Sequence, residues 1–163
     1  MSKIKVLING CNGKMGQEVA KKIRVSTNME VMAGIDREDL GDNFFPVYTD
    51  IFELKDENPD VIIDFSIPTA SLKALKFAQD RKIPIVIATT GFSEEELNLI
   101  KQGGKIIPLF QSYNMSYSIF VMKKVSAELA KLLDGTDIEI VEMHHNRKID
   151  SPSRNSFNDC RRN

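Results

Sequence analysis

The run Ile4-Lys5-Val6-Leu7-Ile8-Asn9 breaks into Gly10-Cys11-Asn12-Gly13-Lys14-Met15-Gly16 and then into a helical pattern. No other stretch of the chain restricts its fold so strongly. A β-branched run that ends in glycines and continues as a helix predicts strand, tight turn and helix N-terminus. The first turn of a helix carries unpaired N–H groups and partial positive charge, so it can hold a phosphate. The spacing is G-x-x-G-x-x-G, a variant of the commoner G-x-G-x-x-G. Alone, it describes any glycine-rich turn, with or without a ligand. An acidic residue, Asp36, about 20 residues beyond Gly16 gives it weight.

The pattern repeats along the chain. Met15, Val19, Ala20 and Ile23 recur at helical spacing, and Ser26-Thr27-Asn28 ends that helix. Met29 to Ile35 predicts a second strand, with Asp36-Arg37 at its C-terminal end. There a carboxylate can accept from the adenosine ribose and an arginine can meet a 2′-phosphate; a solvated turn is the plain alternative. Glu38 to Tyr48 reads as irregular, and Ile51 to Leu54 as a short helix. Asp60 to Ser66 is apolar without alternation, as buried parallel strands are. Pro68 suits the first position of a helix whose core face is Leu72, Leu75 or Ala74, and Ala78. Ile83 to Ala88 predicts the next strand, ending in Thr89-Thr90-Gly91-Phe92. Ser93 and Glu96 have capping-box spacing for a helix that Gly103-Gly104 stops. Lys105 to Phe110 reads as a short strand before the polar turn Gln111 to Ser116.

Strands alternating with helices over residues 1–115 predict an α/β fold, a Rossmann-type parallel sheet with helices on both faces. Ligands bind such sheets beyond the C-terminal strand ends, where four polar clusters fall: Gly10–Gly16, Asp36-Arg37, Ala88–Gly91 and Ser112–Met115. From about Tyr117 to Leu133 apolar residues return at helical spacing (Phe120, Val121, Val125, Leu129, Leu132), with Gly135 closing the helix. Ile138 to Met143 alternates polar and apolar, the mark of a half-exposed strand and the start of a second, α+β domain.

Net charge of −1 and a pI near 6.1 give no electrostatic case for nucleic acid or an anionic membrane as partner. No apolar run approaches the roughly 20 residues that span a bilayer. With Met1-Ser2-Lys3 leading straight into the first strand, neither a signal peptide nor an extracytoplasmic location is expected. The two cysteines, Cys11 and Cys160, lack metal-site spacing, and the expected cytoplasmic setting keeps them reduced.

His144-His145-Asn146-Arg147-Lys148-Ile149-Asp150-Ser151-Pro152-Ser153 contains both histidines of the chain. Adjacent histidines point in different directions and no further ligand set lies nearby, so no metal is expected. A neutral histidine and a lysine near a bound cofactor can instead move protons, and basic residues can clamp a dicarboxylate. Composition alone favours a charged surface loop.

Taken together, Gly10-x-x-Gly13-Lys14-Met15-Gly16, Asp64-Phe65-Ser66-x-Pro68, Ala88-Thr89-Thr90-Gly91-Phe92, Asn114-x-Ser116 and Glu142-x-His144-His145-x-x-Lys148-x-Asp150-x-Pro152-Ser153 resemble the 4-hydroxy-tetrahydrodipicolinate reductase (dihydrodipicolinate reductase) family of the bacterial diaminopimelate–lysine pathway. The resemblance implies NADPH or NADH as cofactor. Gly10, Cys11, Asn12, Gly13, Lys14 and Met15 would lie at the pyrophosphate, and Asp36 and Arg37 at the adenosine ribose. Ala88, Thr89, Thr90, Ser112, Tyr113, Asn114 and Met115 would line the nicotinamide side. It implies that His144 is the proton donor/acceptor and Lys148 the proton donor, and that His145 binds the cyclic dicarboxylate substrate. It also implies a homo-oligomer, a tetramer in the family. A non-catalytic dinucleotide-binding domain or an inactive fragment is the alternative.

Family members follow Pro-Ser with Gly-Thr, whereas Pro152-Ser153 is followed by Arg154-Asn155-Ser156-Phe157, so those two roles are not carried over. Ser118 and Phe120 replace the family's usual Gly and Asn. The expectation is a dinucleotide-binding domain over 1–115, an incomplete second domain over 116–153, and an off-family tail over 154–163 left by truncation or a frameshift.

Overall fold

The computed structural model describes residues 2–55, 58–133, 135, 137 and 139, and in it the opening apolar run is the central strand of a parallel sheet. This strand, β1 (Ile4–Asn9), pairs on one side with β2 (Met29–Ile35). Beyond β2 lies β3 (Val47–Tyr48). On its other side β1 pairs with β4 (Val61–Asp64), followed by β5 (Ile85–Ile87) and β6 (Leu109–Gln111). The order β3-β2-β1-β4-β5-β6 reverses direction between β1 and β4. That reversal opens a crevice at the C-terminal strand ends, the ligand site of doubly wound sheets.

Side-chain alternation along β1 explains why helices cover both faces. Val6 and Ile8 point into one core with Ala20 and Ile23 of α1 (Lys14–Arg24). Leu7 points into the other, with Ala74, Leu75, Phe77 and Ala78 of α2 (Pro68–Arg81) and Ile100 of α3 (Glu94–Gly103). Strands buried on both faces need no polar alternation, which is why Val6–Ile8 of β1 and Val61–Ile63 of β4 read as continuous apolar runs. The parallel α/β architecture read from the sequence is the one observed.

Several details differ from the sequence reading. Met15 is 52% exposed, so α1 buries only Gly16, Ala20 and Ile23. On α2, Pro68 does open the helix, but Ser71 and Phe77 are buried while Leu72 is only partly so. The strands predicted over 60–66 and 83–88 shorten to Val61–Asp64 and Ile85–Ile87. β6 starts at Leu109 rather than Lys105, because the N–H groups of Lys105, Ile106 and Ile107 turn back to the carbonyls of Gln102 and Gly103 at the end of α3. β3, two residues long, had no sequence signal and is held by Gly34 N–H to Pro46 O and Asp36 N–H to Tyr48 O.

The chain divides into two compact units, 1–112 and 113–163. In the second, Ser116 caps α4 (Tyr117–Leu132) by accepting from the Ile119 N–H. The helix ends at Leu132 with Leu133 as its C-cap, so Gly135 lies beyond its end. No residue of α4 is buried, and the apolar positions Phe120, Val121, Val125, Leu129 and Leu132 are all exposed. The strand expected over Ile138 to Met143 lies outside the described residues.

Candidate dinucleotide-binding site

The glycine turn is shaped by two close approaches. Gly10 has φ +81°, and a Cβ there would sit 2.6 Å from the carbonyl oxygen of Phe65, beyond the end of β4. A Cβ on Gly16 would strike the carbonyl oxygen of Gly10, so α1 can start this close to the turn only with glycine at that position. Gly10 and Cys11 N–H both bond the carbonyl of Ile35 at the end of β2, at 2.8 and 3.3 Å. Asn12 N–H donates to Asp36 Oδ2 at 2.8 Å, and Gly13 N–H to Gly10 O at 3.2 Å. These bonds pin the turn to the end of β2.

What the turn leaves open is the start of α1. Its N-cap is Gly13, which has no side chain to satisfy the first-turn N–H groups. The N-cap of α2 is Ile67, which also provides no side-chain cap. In α3, by contrast, Ser93 Oγ accepts from Glu96 N–H while Glu96 Oε2 accepts from Ser93 N–H. Both uncapped helix starts border one cleft of about 470 Å³, with Gly13 at one wall and Ile67, Thr69 and Ala70 at another. Two bare N-termini facing a shared cleft make a site for an anion.

Asp36 and Arg37 lie on the rim of the same cleft. The Asp36 carboxylate accepts from Asn12 N–H through Oδ2 and from Arg37 N–H through Oδ1, both at 2.8 Å. Each oxygen retains a second lone pair for a hydroxyl donor. Lys73, which the sequence reading passed over, also borders the cleft and pairs with Asp50 at 3.7 Å. Its only signal was its place one turn into a helix starting at a strand end.

Cys11 lies beneath the turn, fully buried, in space that only a glycine at 34 leaves free: a Cβ there would be 2.5 Å from Cys11 Sγ. Burial, helped by the nearby Asp36 charge, pushes its thiol up to about 12. Its side chain is therefore packing, with its backbone N–H in the turn. Lys14 and Met15 stand exposed in the first turn of α1.

At the end of β5, Ala88 is half-buried and Thr90 exposed, whereas Thr89 is only 3% exposed. The Thr89 hydroxyl donates to Asp64 Oδ2 at 2.9 Å and accepts from Ser66 N–H at 3.0 Å. That leaves Thr90 and the segment's backbone as what faces outward. Ser112 extends the β5–β6 ladder through its N–H to Ile87 O. Tyr113, Asn114 and Met115 fall in the second unit, where Asn114 Oδ1 accepts from Ser116 N–H at 2.8 Å. His144, His145 and Lys148 lie outside the described residues. Among the described residues no cluster of histidine, cysteine and carboxylate side chains could hold a metal ion, and no helix is long and apolar enough to cross a membrane.

Residues 4–115 match the family model described as dihydrodipicolinate reductase, N-terminus, and residues 118–158 match that of its C-terminus. The chain belongs to the dihydrodipicolinate reductase family. This is a family of dinucleotide-dependent oxidoreductases with a Rossmann fold. A 4-hydroxy-tetrahydrodipicolinate reductase of Caldanaerobacter subterraneus subsp. tengcongensis is 51% identical over 150 residues, covering 92% of this chain. One from Clostridium tetani is 40% identical over 151 residues, again covering 92%. The chain spans 59% of the length of each of these relatives. Among solved structures, a dipicolinate-bound dihydrodipicolinate reductase from Paenisporosarcina sp. TG-14 is similar, with TM-score 0.77 and 30% identity over 96% of this chain and 64% of that one.

Proposed function

We propose that the cleft holds the adenosine and pyrophosphate portion of NADH or NADPH, and that the chain serves the reduction of 4-hydroxy-tetrahydrodipicolinate to tetrahydrodipicolinate with loss of water. The observation that carries this reading is the pair of uncapped helix starts on one cleft, with a carboxylate and a cation at its rim. Family membership supports the reaction.

When bound, the dinucleotide supplies a hydride to the substrate ring. The first-turn N–H groups of α1 hold the pyrophosphate. Asp36 accepts from the adenosine ribose hydroxyls, and Arg37, with Lys14 and Lys73 as further cations, meets a 2′-phosphate when there is one. Carboxylate and guanidinium side by side suit both cofactors. Ala88 to Thr90 and Ser112 to Met115 line the nicotinamide side. Lys148 donates the proton that quenches the electron density built by hydride arrival, with His144 as proton donor/acceptor. His145 binds a substrate carboxylate. A homo-tetramer, carried by the resemblance, and a cytoplasmic location complete the proposal.

Titration of NADH or NADPH fluorescence, with and without pyridine-2,6-dicarboxylate, tests the reading; the Paenisporosarcina relative binds this planar diacid. The expected result is saturable binding of the reduced dinucleotide, tightened by the diacid. Binding of cofactor with no effect of the diacid favours a non-catalytic dinucleotide-binding domain. Absence of dinucleotide binding contradicts the proposal.

A further inference from the structure

At the end of β4, the side chain of Asp64 is completely buried. A carboxyl group at such a depth is rare unless it is heavily hydrogen-bonded, and Asp64 is. Its Oδ1 accepts from Asn9 Nδ2 at 2.8 Å, from Ser66 N–H at 3.2 Å and from Ser66 Oγ. Its Oδ2 accepts from Thr89 Oγ1 at 2.9 Å and from Ser71 Oγ. The donors are themselves cross-linked: Asn9 Nδ2 reaches Ser66 Oγ at 3.0 Å and Ser66 N–H reaches Thr89 Oγ1 at 3.0 Å.

These partners sit where the ligand-bearing segments leave the sheet. Asn9 ends β1 and is followed by Gly10, Ser66 lies between β4 and α2, Ser71 is in the first turn of α2, and Thr89 follows β5. The backbone adds Phe65 N–H to Asn9 O and Ala88 N–H to Asp64 O, both at 2.9 Å. One buried carboxylate therefore joins three strand exits and a helix start.

We propose that Asp64 is a positioning residue: through Thr89 and Ser66 it fixes the 88–90 segment against the glycine turn, so that the nicotinamide half of the dinucleotide meets a preformed backbone. The proposal rests on the dinucleotide reading above. With Thr89 turned inward onto Asp64, the segment presents its main chain and Thr90 to the ligand. A node serving stability alone would support both halves of the cofactor equally. A positioning node acts on the half lying against the segment it fixes.

The test compares NADH with ADP-ribose, which keeps the adenosine and both phosphates and lacks the nicotinamide. Calorimetric titrations use the full 163-residue chain and its Thr89→Val, Thr89→Ser and Asp64→Asn variants. In the unmodified chain NADH is expected to bind more tightly than ADP-ribose. Thr89→Val and Asp64→Asn are expected to reduce that advantage about tenfold, with ADP-ribose affinity unchanged within about twofold, and Thr89→Ser to restore it. Should Thr89→Val fail to fold, Asp64→Asn decides alone: its amide oxygen still accepts from Asn9 and Ser66 beside the glycine turn, while its NH2 replaces the acceptor that Thr89 uses. An undiminished advantage in the variants, an equal loss for both ligands, or no advantage in the unmodified chain overturns this proposal and leaves the dinucleotide reading intact. If neither ligand binds the unmodified chain, the dinucleotide reading fails and this proposal falls with it.

Discussion

Cys11 shows how a residue in the glycine turn can contribute packing without chemistry. Its thiol, ordinarily near 9.0, is pushed up to about 12 by burial and then by Asp36. At pH 8 it should react with iodoacetamide on the order of a thousand-fold more slowly than the same cysteine in unfolded chain, since the thiolate is the reactive species. Peptide mass spectrometry, which separates Cys11 from Cys160, gives the comparison. The sign of the pH effect follows from the raised value. Below pH 9 the thiol is protonated in both states and contributes no pH dependence. Between about pH 9 and 12 the unfolded chain releases a proton that the folded chain keeps, so stability falls as pH rises. Denaturant midpoints of the chain and of Cys11→Ala over that range should converge as pH rises; parallel curves would contradict the assignment. Asp36 was legible as a candidate because its distance from the glycine turn and its place at a strand end single it out, and the structure places it on the cleft beside that turn. Asp64 was not, although a carboxylate closing the apolar run Val61–Asp64 is an anomaly in its own right.

The helices differ in how they begin, and that difference carries the functional reading. Ser93 and Glu96 cap α3 at both ends of the capping box, as their spacing predicts, whereas α1 begins at Gly13 without a side-chain cap. Replacing Gly13 by Asp tests whether the bare start of α1 is the anion site. The backbone there, φ −68° and ψ 160°, suits any residue, and the added Cβ makes one tight contact, 3.3 Å, with Gly10 O. The carboxylate would cap α1 and place negative charge where the pyrophosphate is proposed to sit. Thermal stability should hold or rise by about a few tenths of a kcal/mol, while NADH affinity falls at least about tenfold, a loss of roughly 1.4 kcal/mol. A stable variant with unchanged affinity would show that the phosphates lie elsewhere. β1 and β2 were legible to the residue because each is a mostly apolar run of strand length bounded by turn residues. β6 was not: Ile106 and Ile107 look like strand residues, yet Ile107 is a core anchor in the turn that leaves α3. β3 is defined only by its partners on β2, so nothing local could reveal it.

At the scale of the molecule, the sheet and its two cores lie within residues 1–112. Alternation of apolar strands with amphipathic helices foretold that architecture, since a parallel sheet must be covered on both faces. The periodicity of α4 is equally plain in the sequence, but the structure leaves that helix without a buried residue, so periodicity alone did not foretell burial. The central claim concerns the first unit: a dinucleotide lies across the strand ends with its pyrophosphate at the start of α1. Amide chemical shifts of the isotope-labelled 163-residue chain, followed through a titration with NADH, report on this directly. The account predicts saturable shifts concentrated at Gly13 to Gly16, Asp36-Arg37 and the 88–90 segment, with the capped start of α3 at Glu94 to Glu96 unmoved. No saturable shift, or shifts that leave Gly13 to Gly16 unmoved, would contradict it.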